Sequence, residues 1–71
     1  MATVLFETAN FAVIEVRGGG IVLRNNVTTK EVFFQPGDDA QSMRDVVDAL
    51  DECSEIIRPG VFDVACDQYF Y

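Results

Sequence analysis

The spacing of the apolar residues changes at Pro36-Gly37, and this change limits the folds open to the chain. Before it, short runs rich in β-branched and aromatic residues are separated by glycine or asparagine. After it, apolar residues recur every three or four positions. The first pattern is typical of strands, and the second of one face of an amphipathic helix. The sequence therefore predicts an α+β fold in which an antiparallel sheet packs against one helix.

Four strands are predicted in the first half of the chain, at about residues 3–7, 11–17, 21–25 and 31–35. Gly18-Gly19-Gly20 separates the second strand from the third and favours a hairpin, because glycine reaches positive φ without steric cost. The segment from Asn25 to Thr29 predicts the next turn, since asparagine tolerates the left-handed conformation. These short connections predict an antiparallel meander of three strands, or of four if residues 3–7 also pair.

A single helix is predicted over about residues 38–57, ended by Arg58-Pro59-Gly60. Its apolar stripe consists of Ala40, Met43, Val46, Val47, Leu50, Cys53, Ile56 and Ile57. Residues 61–70 then alternate, which predicts a C-terminal strand with Phe62, Val64, Cys66 and Phe70 on one face. We expect one domain over residues 1–71, whose helix covers one face of the sheet and leaves the other open.

The chain carries a formal net charge of −7, and all of it belongs to the second half. Residues 1–36 hold three acidic and three basic residues, whereas residues 37–71 hold nine acidic residues against Arg44 and Arg58. Such an asymmetry between halves indicates an acidic surface that would attract a basic partner. Direct nucleic-acid binding is not expected, because the few basic residues make no patch for phosphates.

The acidic residues of the predicted helix lie off its apolar stripe. Asp45, Asp48 and Glu52 would share one face, while Asp51 and Glu55, four residues apart, would share a neighbouring face. Like charges at these spacings repel, and each pair costs a few tenths of a kcal/mol of helix stability. That cost favours a functional surface for a basic partner, although a solvated face in a protein from an acidic proteome would have the same pattern.

The last three residues, Tyr69-Phe70-Tyr71, are the second candidate contact region. In the predicted strand, Tyr69 and Tyr71 fall opposite Phe70 and beside Asp67. Tyrosine is enriched at binding hot spots because it offers a large contact area and a polar group. The alternative is that these aromatic residues complete the core of a small domain, which is the role expected of Phe70.

The residue types needed for catalysis are scarce. The absence of histidine removes the commonest general base and most transition-metal sites. Cys53 and Cys66 are expected to be free thiols, with a disulfide between them as the alternative. Asp63 and Asp67 are expected to face solvent on the final strand. We therefore expect a non-enzymatic protein with no metal and no cofactor, and a carboxylate-based or metal-assisted enzyme is the weakest alternative.

The first residues, from Met1 to Glu7, contain no basic leader and no long apolar run. A secretory leader needs both of these features, and a membrane helix needs the second. A cytoplasmic protein with no membrane partner is therefore expected.

A general resemblance rests on the length of the chain, its α+β pattern, its lack of catalytic residues and the acidic helix from Asp38 to Glu55. In these features the chain resembles small acidic phage-encoded inhibitors of bacterial defence, including anti-CRISPR proteins. The resemblance implies a protein that acts in the host cytoplasm and covers the basic groove of a nuclease complex, as a nucleic-acid mimic does. Proteins of this type share no motif, so the resemblance transfers no binding residue.

The first functional hypothesis is thus a non-enzymatic inhibitor of a basic, nucleic-acid-binding complex such as a CRISPR effector. Its partner-binding residues are expected to be Asp45, Asp48, Asp51, Glu52, Glu55, Asp67, Tyr69 and Tyr71. The alternative is a small homo-oligomeric ligand-binding or structural module, such as a homodimer, that uses the open face of the sheet.

Overall fold

The computed structural model describes residues 2–70, in which an antiparallel sheet precedes two α-helices. The strands are β1 (Thr3–Glu7), β2 (Phe11–Glu15), β3 (Ile21–Asn25) and β4 (Glu31–Phe34). The α-helices are α1 (Asp38–Ala49) and α2 (Arg58–Asp67), and each is followed by a short 3-10 helix, Leu50–Glu52 and Gln68–Phe70. The predicted α+β class and the four-stranded antiparallel sheet are confirmed.

The sheet is a meander in which neighbouring strands in the sequence are neighbours in space, in the order β1-β2-β3-β4. The hairpin between β2 and β3 passes through Gly18 and Gly19, whose φ angles are 93° and 92°. Side chains other than glycine rarely adopt this region, so the glycine run sets the position of the hairpin. Val16 already belongs to the turn, where its N–H donates to the carbonyl of Gly20, and β2 is shorter than predicted.

Both helices pack on the face of the sheet to which Val13 and Leu23 belong. These two residues are directly paired between β2 and β3, and both are fully buried. The core combines strand and helix residues: Phe11, Val13, Ile21, Leu23, Ala40, Met43, Leu50, Phe62 and Cys66. Aromatic contacts join α2 and the following 3-10 helix to the sheet, with ring centroids 4.8 Å apart for Phe6–Phe62 and 5.6 Å apart for Phe11–Phe70.

The prediction of one continuous helix over residues 38–57 is wrong. The helical path ends after Glu52, and Cys53 is extended, with φ −91° and ψ 150°. A helix of that length would be about 30 Å long, whereas strands of five residues span about 17 Å. The predicted helix would therefore project beyond the sheet, and its last apolar residues would have no core to cover. Ile56 and Ile57 lie in the turn after Cys53 and are exposed.

The predicted C-terminal strand over residues 61–70 is also wrong, because this segment forms α2 and a 3-10 helix. Arg58-Pro59-Gly60 begins α2 rather than ending a helix, and proline is well tolerated in a first helical turn. Phe62 and Cys66 are four residues apart, a spacing that puts them on one face of a strand or of a helix. Because α1 is shorter than predicted, it covers only part of the sheet. α2 covers another part, where Phe62 and Cys66 join the core.

Candidate functional site

The acidic surface comprises the five exposed carboxylates Asp45, Asp48, Asp51, Glu52 and Glu55. Asp45 and Asp48 lie on α1, three residues apart, and share a helical face. Asp51 and Glu52 continue on the 3-10 helix. Glu55 lies in the following turn, so the predicted helical pairing of Asp51 with Glu55 is wrong. The acidic surface therefore follows α1 and bends with the chain where the helix ends.

Arg44 does not neutralise the acidic surface, because it reaches inward to the sheet. Its Nη2 donates to Oε2 of Glu15 at 2.8 Å and to the carbonyl oxygen of Gly19 at 2.8 Å. A second bond from Nε to the same carboxylate oxygen, 3.1 Å long, holds the guanidinium in place. This contact joins α1 to the end of β2 and the hairpin that follows it.

Arg58, the other arginine of the second half, holds the connection between α1 and α2 through hydrogen bonds. Its Nε donates to the carbonyl of Leu50 at 2.8 Å, and its Nη2 donates to the carbonyl of Cys53 at 2.9 Å. These carbonyls lie where the helical path ends, and the Leu50 carbonyl also accepts the backbone N–H of Cys53 at 3.0 Å. Within residues 2–70 the ion pairs are Glu15–Arg44 and Glu7–Arg24, so neither includes a residue of the acidic surface.

The other predicted contact residues lie at the end of α2. Asp67 is exposed on the last turn of that helix. Tyr69 is 38% exposed and packs edge-on against Phe34 of β4, with ring centroids 5.2 Å apart. It therefore covers Phe34 with one side and reaches solvent with the other, on a 3-10 helix rather than on a strand. The prediction for Tyr71 falls outside the described residues.

Asp63 has a structural role that the sequence did not reveal. Its Oδ1 accepts a hydrogen bond of 2.6 Å from Thr8 Oγ1, and its Oδ2 accepts one of 2.8 Å from Asn10 Nδ2. Thr8 Oγ1 also accepts hydrogen bonds from the backbone N–H groups of Asn10 and Phe11, each at 3.2 Å. The carboxylate thus ties α2 to the β1–β2 turn, and the expectation that Asp63 is a solvent-facing strand residue is wrong.

Replacing Asp63 with alanine is expected to lower the free energy of unfolding by about 1–2 kcal/mol, because two hydrogen bonds to a charged, half-buried group are lost. Asp48→Ala is the matched control: Asp48 is exposed on α1, and its replacement should change stability by less than about 0.5 kcal/mol. Urea denaturation of both variants gives the comparison. Equal midpoints for the two variants would contradict the assigned role of Asp63.

An open groove runs beside Asp63, between α2 and the two turns at that end of the sheet. Its volume is about 390 Å³. Apolar and acidic side chains line it together, among them Phe11, Val27, Val64, Asp63 and Asp67. The groove thus places apolar surface beside two acidic residues, of which Asp63 already accepts hydrogen bonds from Thr8 and Asn10.

The face of the sheet opposite the helices carries an apolar row that crosses all four strands. Register pairs Val4 with Ile14, Ile14 with Val22, and Val22 with Phe33. Val4 is 53% and Phe33 57% exposed. We call these four residues the open sheet face.

Beside the open sheet face lies a charged row in which Glu7, Ala12, Arg24 and Glu31 are paired in turn. Opposite charges alternate along this row, and Glu7 and Arg24 are 3.7 Å apart at their nearest charged atoms. The residues of the acidic surface belong to the helical layer, so the two sides of the molecule differ in charge.

The two cysteines are separate free thiols, Cys53 half-buried and Cys66 buried. Burial, with a smaller contribution from the charge of Asp63, raises the pKa of the Cys66 thiol to about 12. Since the thiolate is the nucleophilic form, Cys66 is unreactive at neutral pH and serves the core. Within residues 2–70, no group of three or more cysteine or acidic side chains is arranged to hold a metal ion.

None of the helices in the described part of the chain has the length and apolar content needed to cross a membrane. Comparisons with known proteins give no relationship for this chain: no protein-family model, no curated protein and no solved structure matches it.

Proposed function

We propose that the protein is a non-enzymatic inhibitor that binds a basic, nucleic-acid-binding protein complex, such as a CRISPR effector, and covers its basic surface. The observation that carries this proposal is the inward orientation of Arg44 and Arg58. Because both arginines of the second half are engaged with the protein's own carboxylate and carbonyl groups, the exposed carboxylates of the acidic surface are available to an outside cation.

The physical effect of such a surface is attraction and competition. Clustered carboxylates raise the rate of encounter with a basic groove and occupy lysine and arginine side chains that would otherwise contact phosphates. On α1 the two carboxylates of the acidic surface, Asp45 and Asp48, are three residues apart, which is about 4.5 Å along the helix axis. Binding of this kind weakens as salt concentration rises, since exposed charges are screened.

The proposal is tested by capture from lysates of bacteria that contain CRISPR effector complexes, with parallel washes at low and high salt. Support requires a stoichiometric nucleic-acid-binding complex that is retained at low salt and released at high salt. The captured complex must also lose binding to its nucleic acid when the protein is added. Retention of a complex that still binds nucleic acid normally would contradict the proposal.

The open sheet face favours a second candidate, a homodimer that serves as a structural or ligand-binding module. Sheets of two copies could pack with these apolar rows in contact, as in β-sandwiches. This arrangement would place the neutral sides together and keep the two acidic surfaces far apart, which minimises charge repulsion between copies.

Phe33→Lys tests this candidate, because it puts a charge at the exposed end of the apolar row. If the sheet faces pair, sedimentation equilibrium will give a dimer for the original protein and a monomer for the variant. Val27→Lys, in the β3–β4 turn, is the control with the same charge change and should remain dimeric. A monomeric original protein would eliminate the homodimer.

A further inference from the structure

Four large apolar residues are exposed on the outer side of α2 and in the turn before it. Ile56 is 92%, Ile57 53%, Val61 43% and Val64 77% exposed. Ile57, Val61 and Val64 follow an i, i+4, i+7 pattern, so they form one stripe along the helix. We call these four residues the outer stripe.

The outer stripe is not a by-product of core packing. The core side of α2 is already occupied by Phe62 and Cys66, which are both fully buried. α2 therefore presents apolar residues on two opposite sides, and helices with this property are generally covered on both. Single exposed apolar residues are ordinary, but a continuous group on one side of a short helix is typical of an interaction site.

Acidic residues lie near both ends of the outer stripe. Glu52 and Glu55 precede Ile56 in the chain, and Asp63 and Asp67 lie with Val64 along the groove. An apolar centre with a polar margin is the usual arrangement of a specific protein interface. Here the margin is negative at both ends of the stripe.

The negative charge of this margin indicates what kind of partner the outer stripe can bind. A second copy of the chain would bring carboxylates against carboxylates, and repulsion between them would oppose self-association through the stripe. The anionic surface of a membrane would be repelled for the same reason. A protein segment that combines apolar residues with lysine and arginine can make apolar contact with the stripe and is opposite in charge to its margin.

We propose that the outer stripe anchors the apolar side of a lysine- and arginine-rich amphipathic segment of the partner. This inference rests on the proposed function, since it describes the partner's surface at the same interface. The acidic surface attracts and orients the segment, and the outer stripe then contributes contact that salt does not screen. A basic side chain of the segment enters the groove beside Val64, with its stem against Phe11 and Val27.

The test uses three synthetic peptides and fluorescence anisotropy. The probe is an amphipathic helical peptide of leucine and lysine, and the comparisons are its leucine–glutamate counterpart and an oligolysine of equal charge. The protein should bind the leucine–lysine peptide more tightly than either comparison peptide. Equal binding of the leucine–glutamate peptide would overturn the inference.

The variant Ile56→Ser/Val64→Ser replaces the two most exposed residues of the outer stripe and should leave the core intact. Its affinity for the leucine–lysine peptide should fall about tenfold or more, while its affinity for oligolysine stays the same. Neither residue belongs to the core, so the urea midpoint of the variant should equal that of the original protein, which verifies its folding. An unchanged affinity for the leucine–lysine peptide would overturn the inference.

The two proposals fail in different ways. If reversing charges on the acidic surface lowers oligolysine binding but the serine variant behaves as the original protein, only the outer-stripe inference fails. If charge reversal leaves the binding of both basic peptides unchanged, the proposed function itself fails. A dimer of the original protein that the serine variant abolishes would identify a second copy as the occupant and overturn the inference.

Discussion

Reversing three charges of the acidic surface, Asp45→Lys, Asp48→Lys and Glu52→Lys, is expected to weaken binding to the basic partner by about 100-fold or more. Each lost ion pair is worth up to about 1 kcal/mol, and three such losses correspond to roughly that factor. The three changes also raise the net charge from −7 to −1, because each adds two positive charges. Titration calorimetry at low salt measures the effect.

The fold should survive these substitutions, since all three side chains are exposed. Removing repulsion along α1 and placing cations near its C-terminus should leave the free energy of unfolding unchanged or raise it. Asp48→Lys and Glu31→Lys form a matched pair with the same charge change, one on the acidic surface and one on the sheet. Equal loss of affinity for the two would mean that net charge, rather than the acidic surface, determines binding.

Replacing Phe62 with alanine is expected to have the largest effect on stability. Its ring is fully buried and lies 4.8 Å from that of Phe6. Substitutions of this type cost about 3–5 kcal/mol, and a chain of this length has roughly 4–11 kcal/mol in total. The variant should therefore be partly unfolded at room temperature or unfold at a much lower urea concentration. A midpoint close to that of the original protein would contradict the packing of α2.

Val64→Ala is the control that separates the helix from the strand predicted by alternation. In α2 the Val64 side chain is exposed, and alanine is the better helix former, so stability should stay the same or rise by a few tenths of a kcal/mol. In a strand, Val64 would share the buried face of Phe62, and alanine would destabilise the protein. The sign of the change thus tests the secondary structure of residues 58–67.

The sheet could be predicted because its signals are local. β-branched runs indicate strands, and glycine at Gly18 and Gly19 or asparagine at Asn25 marks the turns between them. The helical half could not be predicted in the same way, because the spacing of its apolar residues fits both a helix and a strand. Phe62 and Cys66 fit either period, and Ile56 and Ile57 extend the stripe of α1 in sequence although the sheet is too short to cover them.

For the candidate site, local patterns predict which side chains are exposed but not which distant residues they contact. The exposure of Asp45 and Asp48 follows from their positions off the apolar stripe of α1. The contacts of Arg44 with Glu15 and of Asp63 with Thr8 join residues far apart in the chain, so no local sequence pattern predicts them. Asp63 was therefore expected to face solvent, and nothing in its local sequence indicated its contacts with Thr8 and Asn10.

The central claim is that the acidic surface and nucleic acid compete for one basic surface on the partner. The most direct test titrates the protein into the captured complex with labelled nucleic acid bound, at a series of salt concentrations. We predict displacement of the nucleic acid with one protein per site, and an apparent affinity that falls as salt rises. A ternary complex that keeps its nucleic acid, or an affinity that salt does not change, would contradict the claim.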